Sequence, residues 1–284
     1  SREKRTWASQ SPDQEATYAE DLEHIVDALR TRDQILEGID ENQFRLFYQP
    51  LTDIKTGRVL GFEALIRWQH PERGLLSPFA FIEFAEKENL IIPLGTWILF
   101  EACRAATRLR PLFAADATFF ISINVAASQL LEPNFLQLCA AAIKESGVDP
   151  SWLKIEVTES LLLADPEQAK KILEQAKREL GVSLAMDDFG TGYSSLSYLH
   201  QFPFDTLKID QSFVGTMCQK PSSLEIVRCV IAMAKALNMK VVAEGVETEQ
   251  NAQMLAELGC DYGQGYLYAK PMPEEEAAHF VVQT

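Results

Sequence analysis

From Phe44 onward the sequence keeps a rhythm that few architectures accommodate. Short β-branched or apolar runs alternate with longer stretches of helical period. The strand candidates are Phe44–Gln49, Val59–Trp68, Thr118–Asn124, Leu153–Thr158, Ser183–Asp187, Thr206–Ile209, Lys240–Ala243 and Tyr262–Tyr266. Between them, Pro166–Leu180 carries Asp165 as N-cap, Pro166 at the first helical position and Gly181 as stop. Ser222–Asn238 sets Ile226, Val230, Met233, Ala234 and Leu237 on one face, and Thr248–Leu258 runs from a Thr248 cap to Gly259. Alternating strands and helices predict a parallel sheet, and eight such units in roughly 240 residues predict an α/β fold, a (βα)8 TIM-like barrel. The first two strands are joined only by Pro50–Arg58, with a Lys55-Thr56-Gly57 turn. They should pair as a hairpin, which puts an antiparallel strand near the barrel's start.

Composition narrows the function. The 284 residues hold 26 Lys+Arg and 41 Asp+Glu, a net charge of −15, and 47% are hydrophobic. The apolar content excludes a disordered chain. The acid excess argues against DNA binding, which needs a basic face to displace counterions. A small phosphate ligand is compatible if bound metal ions reverse the local sign. No apolar run reaches the roughly 18–20 residues of a membrane span; Leu90–Phe100 is interrupted by Pro93 and Gly95. The five cysteines, Cys103, Cys139, Cys218, Cys229 and Cys260, form no C-x-x-C pair. They read as reduced, mostly buried thiols in a reducing, cytoplasmic compartment. The four histidines lack zinc-site spacing. His70-Pro71 reads as a turn after the second strand, and Phe119-Phe120 should divide between barrel interior and helix layer.

In such a barrel the site lies at the C-terminal ends of the strands. Those ends carry Asn124, then Glu156 and Glu159, Asp187 and Asp188, Lys208 and Asp210, Glu244 and Glu247, and Gln264, while strand two carries Glu63 and Arg67. A single Asp after a strand is commonly a helix cap; so many together are not. Carboxylates brought to one point repel unless cations are present. The all-oxygen set of Glu63, Asn124, Glu156, Asp187, Asp188 and Glu244 suits Mg2+, Mn2+ or Ca2+ rather than zinc. Adjacent Asp187 and Asp188 allow one carboxylate to bridge two ions, and two ions about 3.5–4 Å apart clamp the attacking and leaving oxygens of a phosphoryl displacement. Lys208 would hold or deprotonate the attacking water, or neutralise charge. The segment Phe189–Leu199, opening with Phe189, Gly190, Thr191 and Gly192, reads as a site loop whose backbone donors can approach a phosphate.

Glu63-Ala64-Leu65 within Gly61–Pro71, and the runs Ile155–Glu159, Asp187–Ser195, Leu207–Asp210, Ala243–Glu247 and Gln264–Tyr266, resemble the EAL family of cyclic di-GMP phosphodiesterases. The resemblance covers about residues 32–283. It implies a (βα)8-type barrel with an antiparallel early strand, and hydrolysis of cyclic di-GMP to linear pGpG with Mg2+ or Mn2+, two ions in all. It assigns Glu63, Asn124, Glu156 and Asp187 to the first metal, with Asp187 bridging and Asp188 and Glu244 serving the second. Lys208 stands beside the nucleophilic water, Gln264 supports the second metal or its water, Glu159 anchors the loop, and Glu247 is a supporting acid. Gln49, Arg67 and Asp210 are substrate contacts, Arg67 reaching a phosphate through a charge-assisted pair. Two positions depart from the family pattern: Ala126 stands where Ser is common, and Gln211 where a basic residue is common.

Residues 1–31 are expected to be a linker and connector helix from an upstream regulatory domain, with residues 17–38 of helical period, and 32–284 the EAL domain. The start at Ser1, without Met or signal peptide, suggests a piece of a longer protein, such as the cytosolic part of a membrane-bound sensor. The family also implies a homodimer formed near the loop after Asp188. Two other readings compete with the active enzyme. One is a catalytically inactive cyclic di-GMP receptor, which would have lost metal ligands or the loop. The other is a metal-assisted proton abstraction next to a carboxylate.

Overall fold

A computed structural model describes residues 26, 28–159, 165–190 and 199–283. Its strands are β1 (Phe44–Asp53), β2 (Val59–His70), β3 (Gly74–Leu76), β4 (Phe120–Asn124), β5 (Leu153–Thr158), β6 (Ser183–Phe189), β7 (Thr206–Ile209), β8 (Lys240–Ala243), β9 (Tyr262–Gly263) and β10 (Met272–Pro273). The helices are α1 (28–40), α2 (Ile82–Lys87), α3 (Ile91–Leu109), α4 (Ala127–Leu130), α5 (Phe135–Ser146), α6 (Pro166–Gln175), α7 (Gln211–Val214), α8 (Pro221–Ala236), α9 (Glu249–Leu258) and α10 (Glu274–Gln283).

β2, β4, β5, β6, β7, β8 and β9 pair in that order, all parallel. β1 closes the ring antiparallel to both β2 and β9. This is the predicted eight-stranded barrel with its antiparallel early strand, the short β1–β2 connection leaving no room for a crossover helix. β3 and β10 extend the sheet as short additions, on β2 and β1 respectively.

Strand alternation divides the apolar residues into two cores. Leu153, Ile155 and Val157 of β5 face outward into the large core shared with the helices, as do Ile121 and Ile123 of β4. Inside the barrel, Leu51, Phe120 and Val242 form an apolar plug with Leu60 and Tyr262. Phe119 instead packs outward against Phe113 and Trp152, so the Phe119-Phe120 pair divides as its alternation demands. At the N-terminal ends of the strands two aspartates pin the backbone: Asp205 accepts from Leu184 N–H and Asp261 from Val241 N–H. The site end is thus left to the opposite rim.

The predicted caps are in place. Asp165 accepts from Gln168 N–H and Thr248 from Asn251 N–H, while Gly181 and Gly259 take left-handed conformations at helix ends. His70 behaves as a turn residue, its Nδ1 accepting from the N–H groups of Glu72 and Arg73. Several boundaries, and one expected interruption, differ from expectation. The last strand stops at Gly263 because the backbone of Gln264 turns to bond Ala243 and Val246. The helix over Pro166–Leu180 is α only to Gln175 and then widens into a π turn. Leu90–Phe100 belongs to the continuous helix α3, since Pro93 falls in its first turn, where no intrahelical N–H is lost. The helix predicted from Ser222 begins at Pro221, proline being suited to the first helical position. Of the cysteines, Cys103, Cys139 and Cys260 are buried and Cys218 partly so, but Cys229 is exposed on α8. Among the described residues no helix is long and apolar enough to cross a membrane.

Candidate metal centre

The site is built around an irregularity in β6. Met186 pairs with Leu207 and Phe189 with Ile209, so Asp187 and Asp188 together oppose the single residue Lys208. Such a bulge re-aims side chains that strict alternation would send to opposite faces. Asp188 takes a φ of +54°, a left-handed conformation that Asp tolerates better than most residues. The strain is of the kind stored at functional sites. Its product is a pair of consecutive carboxylates on one side. Glu63, Glu156 and Asp187 converge within 4.8 Å, as do Asp187, Asp188 and Glu244, and Asp187 belongs to both groups.

Lys208 stands at the centre, 1% exposed. Its Nζ lies 2.6 Å from Glu156, 2.7 Å from Glu244, 3.2 Å from Asp187 and 3.4 Å from Glu63. Glu63 is held from both sides: Gln264 donates to Oε2 at 2.6 Å and Asn124 to Oε1 at 2.7 Å. Gln264 also donates to Gln49 Oε1 at 3.0 Å, and Gln49 in turn donates to the carbonyl of Ala269. With its amide nitrogen given to Glu63, Asn124 keeps its oxygen available as a ligand.

The titration of these groups follows from crowding. Burial pushes Glu156 up to about 7, with Glu63 and Asp187 adding to the rise against the pull of Lys208. Burial likewise raises Glu244 well above the usual carboxylate range, and Asp188 is raised by burial and by the neighbouring Asp187 and Asp210. Glu63 goes the other way: burial is outweighed by Lys208 and by the bonds from Gln264 and Asn124. Lys208 is raised despite its burial, because Asp187, Glu156, Glu244 and Glu63 all favour the ammonium. Five carboxylates around one ammonium call for further positive charge. Two buried oxygens here, Glu156 Oε1 and Gln264 Oε1, have no hydrogen-bond partner among the described residues. An all-oxygen donor set with unpartnered buried atoms fits a hard divalent cation.

The remaining expected residues divide. Glu159 is buried at the end of β5, and neither of its carboxylate oxygens has a hydrogen-bond partner among the described residues. Arg67 is half-buried, donates to the Ile66 carbonyl and lies 5.3 Å from the Phe47 ring centroid. Asp210 caps α7, accepting from Ser212 N–H, so its carboxylate is engaged by the helix start. Glu247 is exposed and belongs to neither acidic group. Phe189 is buried and Gly190 has a φ of +100°. Thr191 and Gly192, with the rest of 191–198, lie outside the described residues, as do 17–25 of the predicted connector helix.

Two interior residues escaped the sequence reading. Lys154 and Ser122 are both buried, and Ser122 Oγ has no hydrogen-bond partner among the described residues. Their signal was alternation: each lies two residues before a site residue, Glu156 and Asn124 respectively, on the same face. Burial pulls the Lys154 ammonium down to about 8, against the attraction of Glu156 and Asp205. Away from this rim, a cavity of about 530 Å3 lies between β1, α3 and α10, lined by residues including Trp97, Glu101, Arg104 and Glu274. It contains none of the clustered carboxylates. Its salt bridges, with Arg108 joining Glu101 on α3 to Glu274 on α10, read as helix-to-helix ties.

The chain is similar to known proteins. An uncharacterised protein of Synechocystis is 40% identical over 247 residues, covering 87% of this chain and 35% of the relative. The cyclic di-GMP phosphodiesterase NbdA of Pseudomonas aeruginosa is 40% identical over 245 residues, covering 86% of this chain and 31% of its own length. The chain therefore spans about a third of the length of these relatives. Among solved structures, a cyclic di-GMP complex of the phosphodiesterase PaMucR superposes with a TM-score of 0.82 at 38% identity, covering 87% of this chain and 99% of that one. The EAL domain of Mycobacterium smegmatis DcpA gives a TM-score of 0.69 at 36% identity, covering 84% of this chain and 96% of that one. The profile of the EAL domain itself matches residues 32–271. On barrel, motifs and matches together, the chain belongs to the EAL domain family.

Proposed function

We propose that this chain hydrolyses one phosphodiester bond of cyclic di-GMP, giving linear pGpG, with two Mg2+ or Mn2+ ions. The observation that carries the reading is the sharing of Asp187 between two groups of three carboxylates around Lys208. Glu63, Asn124, Glu156 and Asp187 would hold one ion, and Asp187, Asp188 and Glu244 the other. Bound divalent ions supply Lewis-acid stabilisation and a water of lowered pKa. The chain's own residues do the rest. Asn124 and Gln264 fix the orientation of Glu63. Lys208 holds the ring of acids at short range and offers an ammonium to the attacking water. Gln49, which accepts from Gln264, and Arg67 are assigned as substrate contacts, Arg67 suited to a phosphate by a charge-assisted pair. Glu159, buried and with no hydrogen-bond partner among the described residues, is assigned to anchoring the loop after Asp188. Asp210 is assigned as a weaker substrate contact and Glu247 as a supporting acid.

Residues 1–31 serve as the connector and 32–284 as the catalytic domain, with α1 running through the boundary. The free cysteines support a cytoplasmic setting. The domain acts as a homodimer paired near the loop after Asp188, which sedimentation analysis tests directly. The reading as a whole is tested by pGpG release. Glu63→Ala should lose at least ~100-fold, because losing a metal ligand removes both water activation and charge stabilisation. Full activity in that variant sinks the assignment, and tight binding with no turnover under any divalent ion favours a receptor.

A further inference from the structure

Two residues before Glu156, on the same interior side of β5, sits a lysine that the proposed chemistry does not use. Lys154 is 6% exposed. Its Nζ lies 3.7 Å from the centroid of the Phe120 ring, the top of the apolar plug. Among the described residues it makes no ion pair within 4 Å. The register sets it beside Ser122, one strand step below the Asn124–Glu156 pair. Ser122 in turn is paired with Glu63. Lys154 is thus under the acid ring without touching it.

An ammonium buried away from an anion is costly, and an aromatic face returns only part of that cost. The acids above offset part of that cost, Glu156 lying two residues on along the same interior face of β5. That influence is reciprocal. The field that makes an interior ammonium tolerable is the field that draws a divalent ion to the rim. Lys208 is bonded directly to those carboxylates, whereas Lys154 lies one step below them.

We infer that Lys154 is a built-in counter-cation of the acid ring: it holds the ring together in the metal-free domain and lowers the ring's affinity for divalent ions. It is a positioning residue, acting through Glu156 and its neighbours, and the inference rests on the metal-binding reading above. An interior cation that weakens its own enzyme's metal site has a use: it makes occupancy depend on the ambient concentration of the ion instead of leaving the site permanently filled.

The test is titration of the full chain with Mn2+ and, separately, Tb3+, at one pH, by calorimetry. Lys154→Met and Lys154→Gln should bind Mn2+ roughly tenfold more tightly or better, since one positive charge has left the vicinity. Lys154→Arg, which keeps the charge, should stay near the wild type. The logarithm of the gain for Tb3+ should be about one and a half times that for Mn2+, in the ratio of the ionic charges. A packing defect would weaken both ions and would not scale with charge. Unchanged or weaker Mn2+ binding in the folded Met and Gln variants overturns the inference and leaves the metal centre standing. A wild type that takes up no Mn2+ overturns both. Should neither uncharged variant fold in chelator, recovery of the fold by Mn2+ supports the counter-cation role, and failure to recover overturns it.

Discussion

Lys208→Met is the most informative single change at the rim. The methionine keeps much of the lysine's length and removes only the ammonium that four carboxylates surround at 2.6 to 3.4 Å. Every member of that group is largely shielded from water, Lys208 and Glu156 most completely. Replacing a whole buried ion cluster by apolar groups is often neutral, but removing one partner strands the others and costs about 3–5 kcal/mol. In a domain of this size each kcal/mol shifts the melting temperature by about 2–4 °C. The metal-free variant should therefore melt about 6–20 °C below the wild type. Saturating Mg2+ or Mn2+ should narrow that gap, because the ions supply the missing positive charge, while pGpG release stays low because the ammonium beside the water is gone. The assay is thermal unfolding by circular dichroism in EDTA and then in excess divalent ion. A variant that melts within about 2 °C of the wild type in EDTA would refute the reasoning, since four stranded carboxylates cannot cost so little.

Other expectations follow from single positions. Asp188→Asn keeps a residue that tolerates the left-handed backbone, so stability should hold within about 0.5 kcal/mol while pGpG release falls sharply; a stability loss equal to that of a core deletion would argue against the bulge. A Cβ on Gly61 would stand 2.0 Å from the Phe120 carbonyl oxygen, which is rigid backbone between β2 and β4. Gly61→Ala should therefore prevent soluble expression, and a stable, active variant would show that the two strands can separate. Thr248→Ala removes the cap bond to Asn251 N–H and should cost about 1 kcal/mol, read as a lowered urea midpoint. Burial pushes the thiols of Cys103, Cys139 and Cys260 up to about 12, so their thiolate fractions fall and alkylation at pH 8 should mark exposed Cys229 first. Peptide mapping after iodoacetamide checks this, and prompt labelling of Cys260 in the native state would contradict its burial.

Much of the site was legible because strand alternation is strict. Glu156, Lys208 and Glu244 each fall near or just beyond the C-terminal end of a strand, Glu63 interrupts the apolar run of β2, and the barrel architecture turns these positions to one rim. The caps at Asp165 and Thr248 were legible because capping is local chemistry. What stayed hidden depends on neighbours far away in sequence. Nothing in the dipeptide Asp187-Asp188 announces a bulge, which exists only in the register between β6 and β7. The position of Lys208 among four carboxylates comes from strands up to 145 residues apart. Asp210 looked like a site acid and is bonded as a helix cap, because a cap and a ligand occupy the same place after a strand. Cys229 sits in an apolar stretch, yet its own position faces solvent on α8. Lys154 was passed over because a lone lysine within a strand reads as a solvent-facing residue until the barrel closes around it.

Diffraction at the manganese absorption edge, from crystals grown with Mn2+, tests the central claim most directly. Two anomalous peaks are expected with Asp187 between them, one ringed by Glu63, Asn124 and Glu156, the other by Asp188 and Glu244. Clear density for those side chains with no anomalous peak among them would contradict it.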